Sequence, residues 1–223
     1  MSSYRIVWSR GAGRGTQVCA RRGACGRARG ERSPVSIGME RETAVPSEAA
    51  PATADDAVPD ELHVFDFDGT LIDTPTPEVG MQQYLEATGE DWPFQGWWGR
   101  AESLEAPLTM AEGPAFEEYK VSAQNSRVVT IMMTGRRSKL KDSVESVMRD
   151  FEIQCHEHIF NATGHNTLTY KMNELRRLVA KYKPRRVRIW EDRTSHAGIF
   201  QEMEREFKSI AWDVTLVEPS NDF

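Results

Sequence analysis

Residues Val64 to Leu71 read VFDFDGTL, an apolar run that ends in Asp-x-Asp-Gly, and that ending limits what the chain can fold into. A continuous apolar run describes a strand buried on both faces, as in a parallel sheet. The glycine turn that stops it leaves Asp66 and Asp68 at the strand's carboxyl end. In open α/β sheets ligands bind along that edge. Two carboxylates this close resist joint ionisation unless a cation neutralises one or one is held protonated, so the pair implies a metal, a proton shuttle or both. Asp-Gly also favours hairpin turns, but no second alternating strand follows within the few residues a hairpin needs.

From Leu62 onward strand-like and helical stretches alternate. Strands are expected at Leu62–Phe67, Val128–Met133, His158–Asn161, Val187–Trp190 and Trp212–Val217. Between them, apolar residues recur at spacings of three and four: Leu140, Val144, Val147, Met148 and Phe151, then Leu175, Leu178, Val179 and Tyr182, then Ile199, Phe200, Met203 and Phe207. These stripes are core-facing helix surfaces. Strands alternating with helices of this length call for a mostly parallel sheet with helices on both faces. Residues 74–126, between the first two strands, exceed a usual connection and are expected to be a functional insertion.

Composition bounds the rest. The 223 residues, 39% hydrophobic and 28% charged, suit one globular domain and a tail, since a domain of ~150 residues buries a core of its own. Residues 1–60 lack periodicity and are rich in Gly, Arg, Ala, Ser and Pro. Such a composition buries too little surface to offset ordering entropy, so disorder is expected there. Residues 1–30 hold seven arginines and no acid, 31–62 two arginines and eight acids, and 63–223 are left with 19 basic and 26 acidic residues. The arginine-rich start resembles an organelle transit peptide; a translated leader with Met39 as the working start, or an arm from Arg5 to Arg29 that neutralises phosphates, are the alternatives. Cys19, Cys25 and Cys155 form neither a disulfide framework nor a metal-ligand spacing, which fits a reducing compartment. Nothing approaches the ~20 apolar residues a bilayer span needs. The expected location is cytoplasmic or nuclear, or an organelle if residues 1–38 are a transit peptide.

Three further segments fall beside the Asp pair. The second strand ends in IMMTGRR, where Thr134 and Gly135 are expected to offer a hydroxyl and a backbone amide to a phosphate oxygen at a helix start. Lys171 lies near the start of a helix expected over Thr167 to Tyr182, and the fourth strand ends in RIWEDRTSH, which delivers Glu191 and Asp192 to the same edge. Singly, Thr134 reads as a helix cap, Lys171 as a solvated charge and Glu191 with Asp192 as a polar loop. Their joint order along successive strand ends argues for one site.

That ordered set resembles the haloacid dehalogenase (HAD) superfamily of aspartate-nucleophile phosphotransferases over roughly Leu62 to Pro219. The resemblance implies an α/β, HAD-like Rossmannoid three-layer sandwich with a central mostly parallel sheet and an insertion after the first strand. It implies Asp66 as the nucleophile and Asp68 as the acid for the leaving group and base for water. Thr134 would bind the phosphoryl group and Lys171 would stabilise the charge of nucleophile and phosphate. Mg²⁺ would be held by Asp66, the backbone carbonyl of Asp68 and Asp192, an all-oxygen set. Many members carry two aspartates at the fourth motif, where this chain has Glu191, so the ligand role of Glu191 stays open.

DFDGTLIDTPTP, GWWGR, MMTGR, the Thr-rich lead into Lys171 and WEDRTSH together are similar to the HAD domain of Swiss Army Knife RNA repair proteins. The TGR and EDR triplets are also similar to those of polynucleotide 3′-phosphatases. Arg136 and Arg193 would then clamp a phosphate as forked donors. Trp97 and Trp98, with Trp92 and Phe94, would stack on an end nucleotide, or form a small core that holds the insertion together. His196 would contact the leaving group or cap its helix. The acidic folded part counts against extended nucleic-acid binding, which rests on many Lys and Arg contacts, whereas one terminus needs few. A Mg²⁺-dependent phosphatase on a nucleic-acid end, RNA in the first place and with an RNA ligase or kinase as partner, is the expectation; a phosphatase of small metabolites and a non-catalytic phosphate-binding module are the alternatives.

Overall fold

A computed structural model describes residues 59–164 and 166–218. The expectations for the tail (disorder, a transit peptide or leader, Met39 as start, an arginine arm) lie outside the described residues.

The elements run β1 (Glu61–Phe65), β2 (Ile72–Asp73), α1 (Pro77–Thr88), a 3₁₀ turn (Glu102–Leu104), β3 (Ala111–Glu112), α2 (Phe116–Ala123) and β4 (Val128–Arg137). A second 3₁₀ turn (Ser138–Leu140) leads into α3 (Lys141–Asp150), followed by β5 (Glu157–Asn161), α4 (Thr167–Tyr182), β6 (Arg186–Glu191), α5 (Thr194–Glu202), a third 3₁₀ turn (Met203–Glu206) and β7 (Ala211–Leu216). Five strands form a parallel sheet in the order β5-β4-β1-β6-β7, and β2 pairs with β3 in a small antiparallel ribbon. This is the expected α/β Rossmannoid architecture.

Alternation along β1 explains the layers. Leu62 and Val64 join Val129, Ile131 and Met133 of β4 in a core closed by Leu175, Leu178 and Val179 of α4 and by Phe200 and Met203. Phe65 and Met132 face the other way, into a core with Phe116 and Tyr119 of α2 and Val144, Val147 and Met148 of α3. Both faces of β1 are therefore covered, which is why its sequence reads as an unbroken apolar run.

The remaining strand ends fall within a residue of expectation, and three larger differences have physical reasons. β1 ends at Phe65 rather than Phe67; Phe67 stays fully buried in the turn, so hydrophobicity outlasts the ladder. β4 runs on to Arg137 rather than stopping at Met133, because Thr134 and Arg136 point inward and are buried despite their polarity. Thr134 and Gly135 thus belong to a strand with a register irregularity before Arg137, not to a helix start. Within 74–126, α2 packs on β4 and carries Phe116 and Tyr119 into the core, so the end of that segment is the crossover helix between β1 and β4. Among the described residues no helix is long and apolar enough to cross a membrane.

Candidate active site

Sheet order assembles the site. β1 lies between β4 and β6, so the residues leaving its carboxyl end are flanked by Thr134 to Arg137 on one side and Glu191 with Asp192 on the other. Asp66 is the first residue past β1; its amide donates to the Trp190 carbonyl at 3.0 Å, and its Oδ1 accepts from the Phe67 amide at 2.8 Å. From the second turn of α4, Lys171 places Nζ 2.8 Å from Asp66 Oδ2 and 2.8 Å from Glu191 Oε2. It is 1% exposed, and an ammonium so buried is tolerated only when paired.

Charge does not balance in this cluster. One ligand atom each from Asp66, Glu191 and Asp192 lie within 4.8 Å of one another, and Lys171 is the buried cation among them. Burial and the charge of Glu191 drive the Asp66 carboxyl well above its ordinary range, with Lys171 opposing. Burial pushes Asp192 up to about 6, helped by Glu191. Burial acts the same way on Glu191, yet Lys171 and His196 outweigh it and hold that carboxylate low. Lys171 is pulled down by burial and pulled up more strongly by Asp66 and Glu191. Asp66 and Asp192 are therefore pushed toward the neutral form, by burial first and by the charge of Glu191 second. Asp192 Oδ1 is also buried, with no hydrogen-bond donor among the described residues. An oxygen-only donor set with surplus negative charge and an orphaned carboxylate oxygen fits a small divalent cation such as Mg²⁺. Glu191 already spends Oε2 on Lys171, and its Oε1 lies 3.4 Å from the Arg193 amide and from His196 Nδ1.

The carboxylate of Asp68 is not part of that cluster. It is turned to Arg136, whose Nε donates to Oδ1 and Oδ2 at 3.0 Å each and whose Nη2 donates to Oδ1 at 2.8 Å. Thr74 Oγ1 donates to Oδ1 as well, at 2.9 Å. Oδ1 thus takes three donors and Oδ2 one, leaving Oδ2 the less committed oxygen. The expected metal ligand at this position is the backbone carbonyl of Asp68, and its side chain is engaged with Arg136 instead.

A cavity of about 330 Å³ opens here, lined by Asp66, Asp68, Lys171, Gly135, Arg136 and Arg193 together with Trp98, Gly99, Arg137 and Thr167. Gly135 is needed for close approach, since a Cβ there would meet Thr167 Cγ2 at 2.6 Å. Other expected residues fall elsewhere. Thr134 is fully buried and does not line the cavity; its Oγ1 accepts from the Arg136 amide at 3.1 Å, leaving its own hydrogen to donate. Trp97 is buried, donates to the Pro75 carbonyl at 3.1 Å and packs over Gly80 of α1, so it holds the insertion rather than stacking on a ligand. Trp92 and Phe94 cluster with it. Trp98, 41% exposed, is the member of that group that reaches the cavity. His196 is buried behind Glu191 and outside the cavity, so it buttresses that carboxylate instead of meeting a leaving group. Arg137 was not expected; it sits one residue past the TGR triplet, and the run of two arginines was the available signal.

Residues 88–223, more than half of the chain, match the family described as HAD domain family 1 in Swiss Army Knife RNA repair proteins. The chain belongs to that HAD family. The match begins after Asp66 and Asp68 and takes in Thr134, Lys171 and Asp192, so the Asp-x-Asp-Gly segment lies outside the matched residues. An uncharacterized protein of Saccharomyces cerevisiae is 26% identical over 189 residues, which is 71% of this chain and 40% of that relative. The chain thus spans less than half the length of this relative.

Proposed function

We propose that this HAD domain is a Mg²⁺-dependent phosphohydrolase that works through an aspartyl-phosphate on Asp66 and acts on phosphorylated nucleic-acid ends, RNA ends first among them. The observation that carries the reading is a single cavity in which Asp66 and Asp68 face Lys171, Arg136, Arg137 and Arg193, with Trp98 at its wall. Phosphoryl transfer asks for in-line positioning and for neutralisation of phosphoryl oxygens, and such a cavity offers both.

A carboxylate oxygen of Asp66 attacks phosphorus as the P–O bond to the leaving alcohol breaks, and Asp68 Oδ2 gives its proton to that alcohol oxygen. Water then attacks phosphorus, Asp68 takes a proton from it, and the Asp66–phosphate bond breaks to release inorganic phosphate. Lys171 holds Asp66 in line and offsets the added charge. Mg²⁺, held by Asp66 and Asp192 with Glu191 beside them, would supply neutralisation of the phosphoryl oxygens. Arg137 and Arg193, exposed at the cavity, offer forks for phosphate, and Trp98 supplies a ring for an end base. Arg136 is committed to Asp68 and serves the acid/base rather than the phosphate.

Removing a terminal phosphate leaves a free hydroxyl, which is what an RNA ligase or kinase consumes, so such an enzyme is the expected partner. The cytoplasm or nucleus is the setting we assign. An assay with Mg²⁺ on oligonucleotides bearing 3′-phosphate, 2′,3′-cyclic phosphate or 5′-phosphate, beside a panel of phosphorylated metabolites, tests the reading. Turnover of an oligonucleotide end supports it. Turnover of metabolites alone replaces the substrate, and no turnover of anything points to a binding module.

A further inference from the structure

Ser103 lies in the 3₁₀ turn of the insertion and is fully buried, a costly place for a hydroxyl unless it is bonded. It is bonded on both sides. Its Oγ accepts from Arg136 Nη1 at 2.9 Å and donates to the Arg100 carbonyl at 2.8 Å. The remaining edge of the same guanidinium grips Asp68, and its face lies 5.4 Å from the Trp98 ring centroid, within cation–π range. Arg136 is 3% exposed, so an N–H that lost its acceptor would find no water to replace it. The insertion therefore decides which way this arginine faces, and the arginine decides which way the Asp68 carboxylate faces.

We propose that Ser103 is a positioning residue for proton transfer: through Arg136 it aims Asp68 Oδ2 at the leaving oxygen, which makes the insertion a working part of the acid/base machinery. This rests on the phosphohydrolase reading above. In the first step the P–O bond to the leaving group breaks while the Oδ2 proton moves to that oxygen. A mis-aimed Oδ2 hurts a basic leaving group, which needs the proton, and spares one that departs as a stable anion.

The test uses the full chain with Mg²⁺ and two probes, phenyl phosphate and p-nitrophenyl phosphate, the first having much the more basic leaving group. Ser103→Ala removes the acceptor, and Ser103→Cys keeps the size of the side chain while offering only a weak acceptor, so one variant carries the test if the other folds poorly. The expected result for each is a fall in kcat/KM, which reports the step in which the leaving group departs, on the order of tenfold or more for phenyl phosphate, with that for p-nitrophenyl phosphate held within about threefold. Equal losses of kcat/KM on the two probes, or no loss on either, would overturn the proposal while leaving the phosphohydrolase reading intact. Failure of the wild-type chain to turn over these probes and every substrate of the oligonucleotide and metabolite panel would overturn that reading, and the proposal with it.

Discussion

Lys171 Nζ stands 2.8 Å from Asp66 and 2.8 Å from Glu191, so one buried ammonium ties the carboxyl end of β1 to that of β6 through α4. Removing it leaves three neighbouring carboxyls without their internal cation. Lys171→Met should abolish turnover and destabilise the fold by about 3–5 kcal/mol at neutral pH, the cost of orphaning buried charge. Part of that loss should return on mild acidification, as the raised pKa of Asp66 and that of Asp192 near 6 let both carboxyls protonate. Thermal melts at pH 7.5 and 5 check this. A Tm equal to wild type at both would show that the ammonium is not needed to hold the cluster.

The two adjacent tryptophans should separate cleanly. Trp97→Ala excavates a buried ring and should cost about 3–5 kcal/mol, and Gly80→Ala should reproduce much of the defect because its Cβ would occupy the ring's place. Trp98→Ala should leave stability within about 1 kcal/mol while raising KM for an oligonucleotide end more than for p-nitrophenyl phosphate. Urea melts and paired kinetics decide it; equal kinetic losses on the two substrates would remove the stacking role.

Glu157 on β5 accepts hydrogen bonds from Lys181, Tyr182 and Arg177 of α4. Burial alone would raise its pKa, but these donors outweigh it and hold the carboxyl at about 2, against an ordinary 4.5. A depressed folded pKa contributes stability that is complete above the ordinary value and fades as pH falls from 4.5 through about 2. Its partners are largely solvent-exposed, so the contribution is about 1 kcal/mol or less. Chemical denaturation of wild type and Glu157→Gln should show that gap at pH 7 and none near pH 2. A gap that widens with acid would contradict the sign.

Much of the fold was legible in periodicity, because both faces of the sheet are covered and each strand reads as an apolar run between helical stripes. The site was legible wherever chemistry sits at a strand end: Asp66, Lys171, Glu191 and Asp192 do come together. What could not be read were choices made by distant residues. Arg136 looks like a phosphate fork until Asp68, 68 positions away in sequence, takes its donors. Trp97 and Trp98 are alike in sequence, and Gly80 on α1 decides which of them is buried. His196 was one helical turn from Asp192, but its register turns the ring toward Glu191 and Phe200. β4 was read too short because Thr134 and Arg136 are polar residues buried by their partners rather than by their own hydrophobicity.

Asp66 carries the central claim, and its amide variant asks the question most directly. With Mg²⁺ and the best substrate from the oligonucleotide and metabolite panel, Asp66→Asn should fold normally and lose on the order of a thousandfold or more in kcat, as expected when a covalent nucleophile is removed. A folded Asp66→Asn protein whose kcat stays within about tenfold of wild type would contradict the aspartyl-phosphate mechanism.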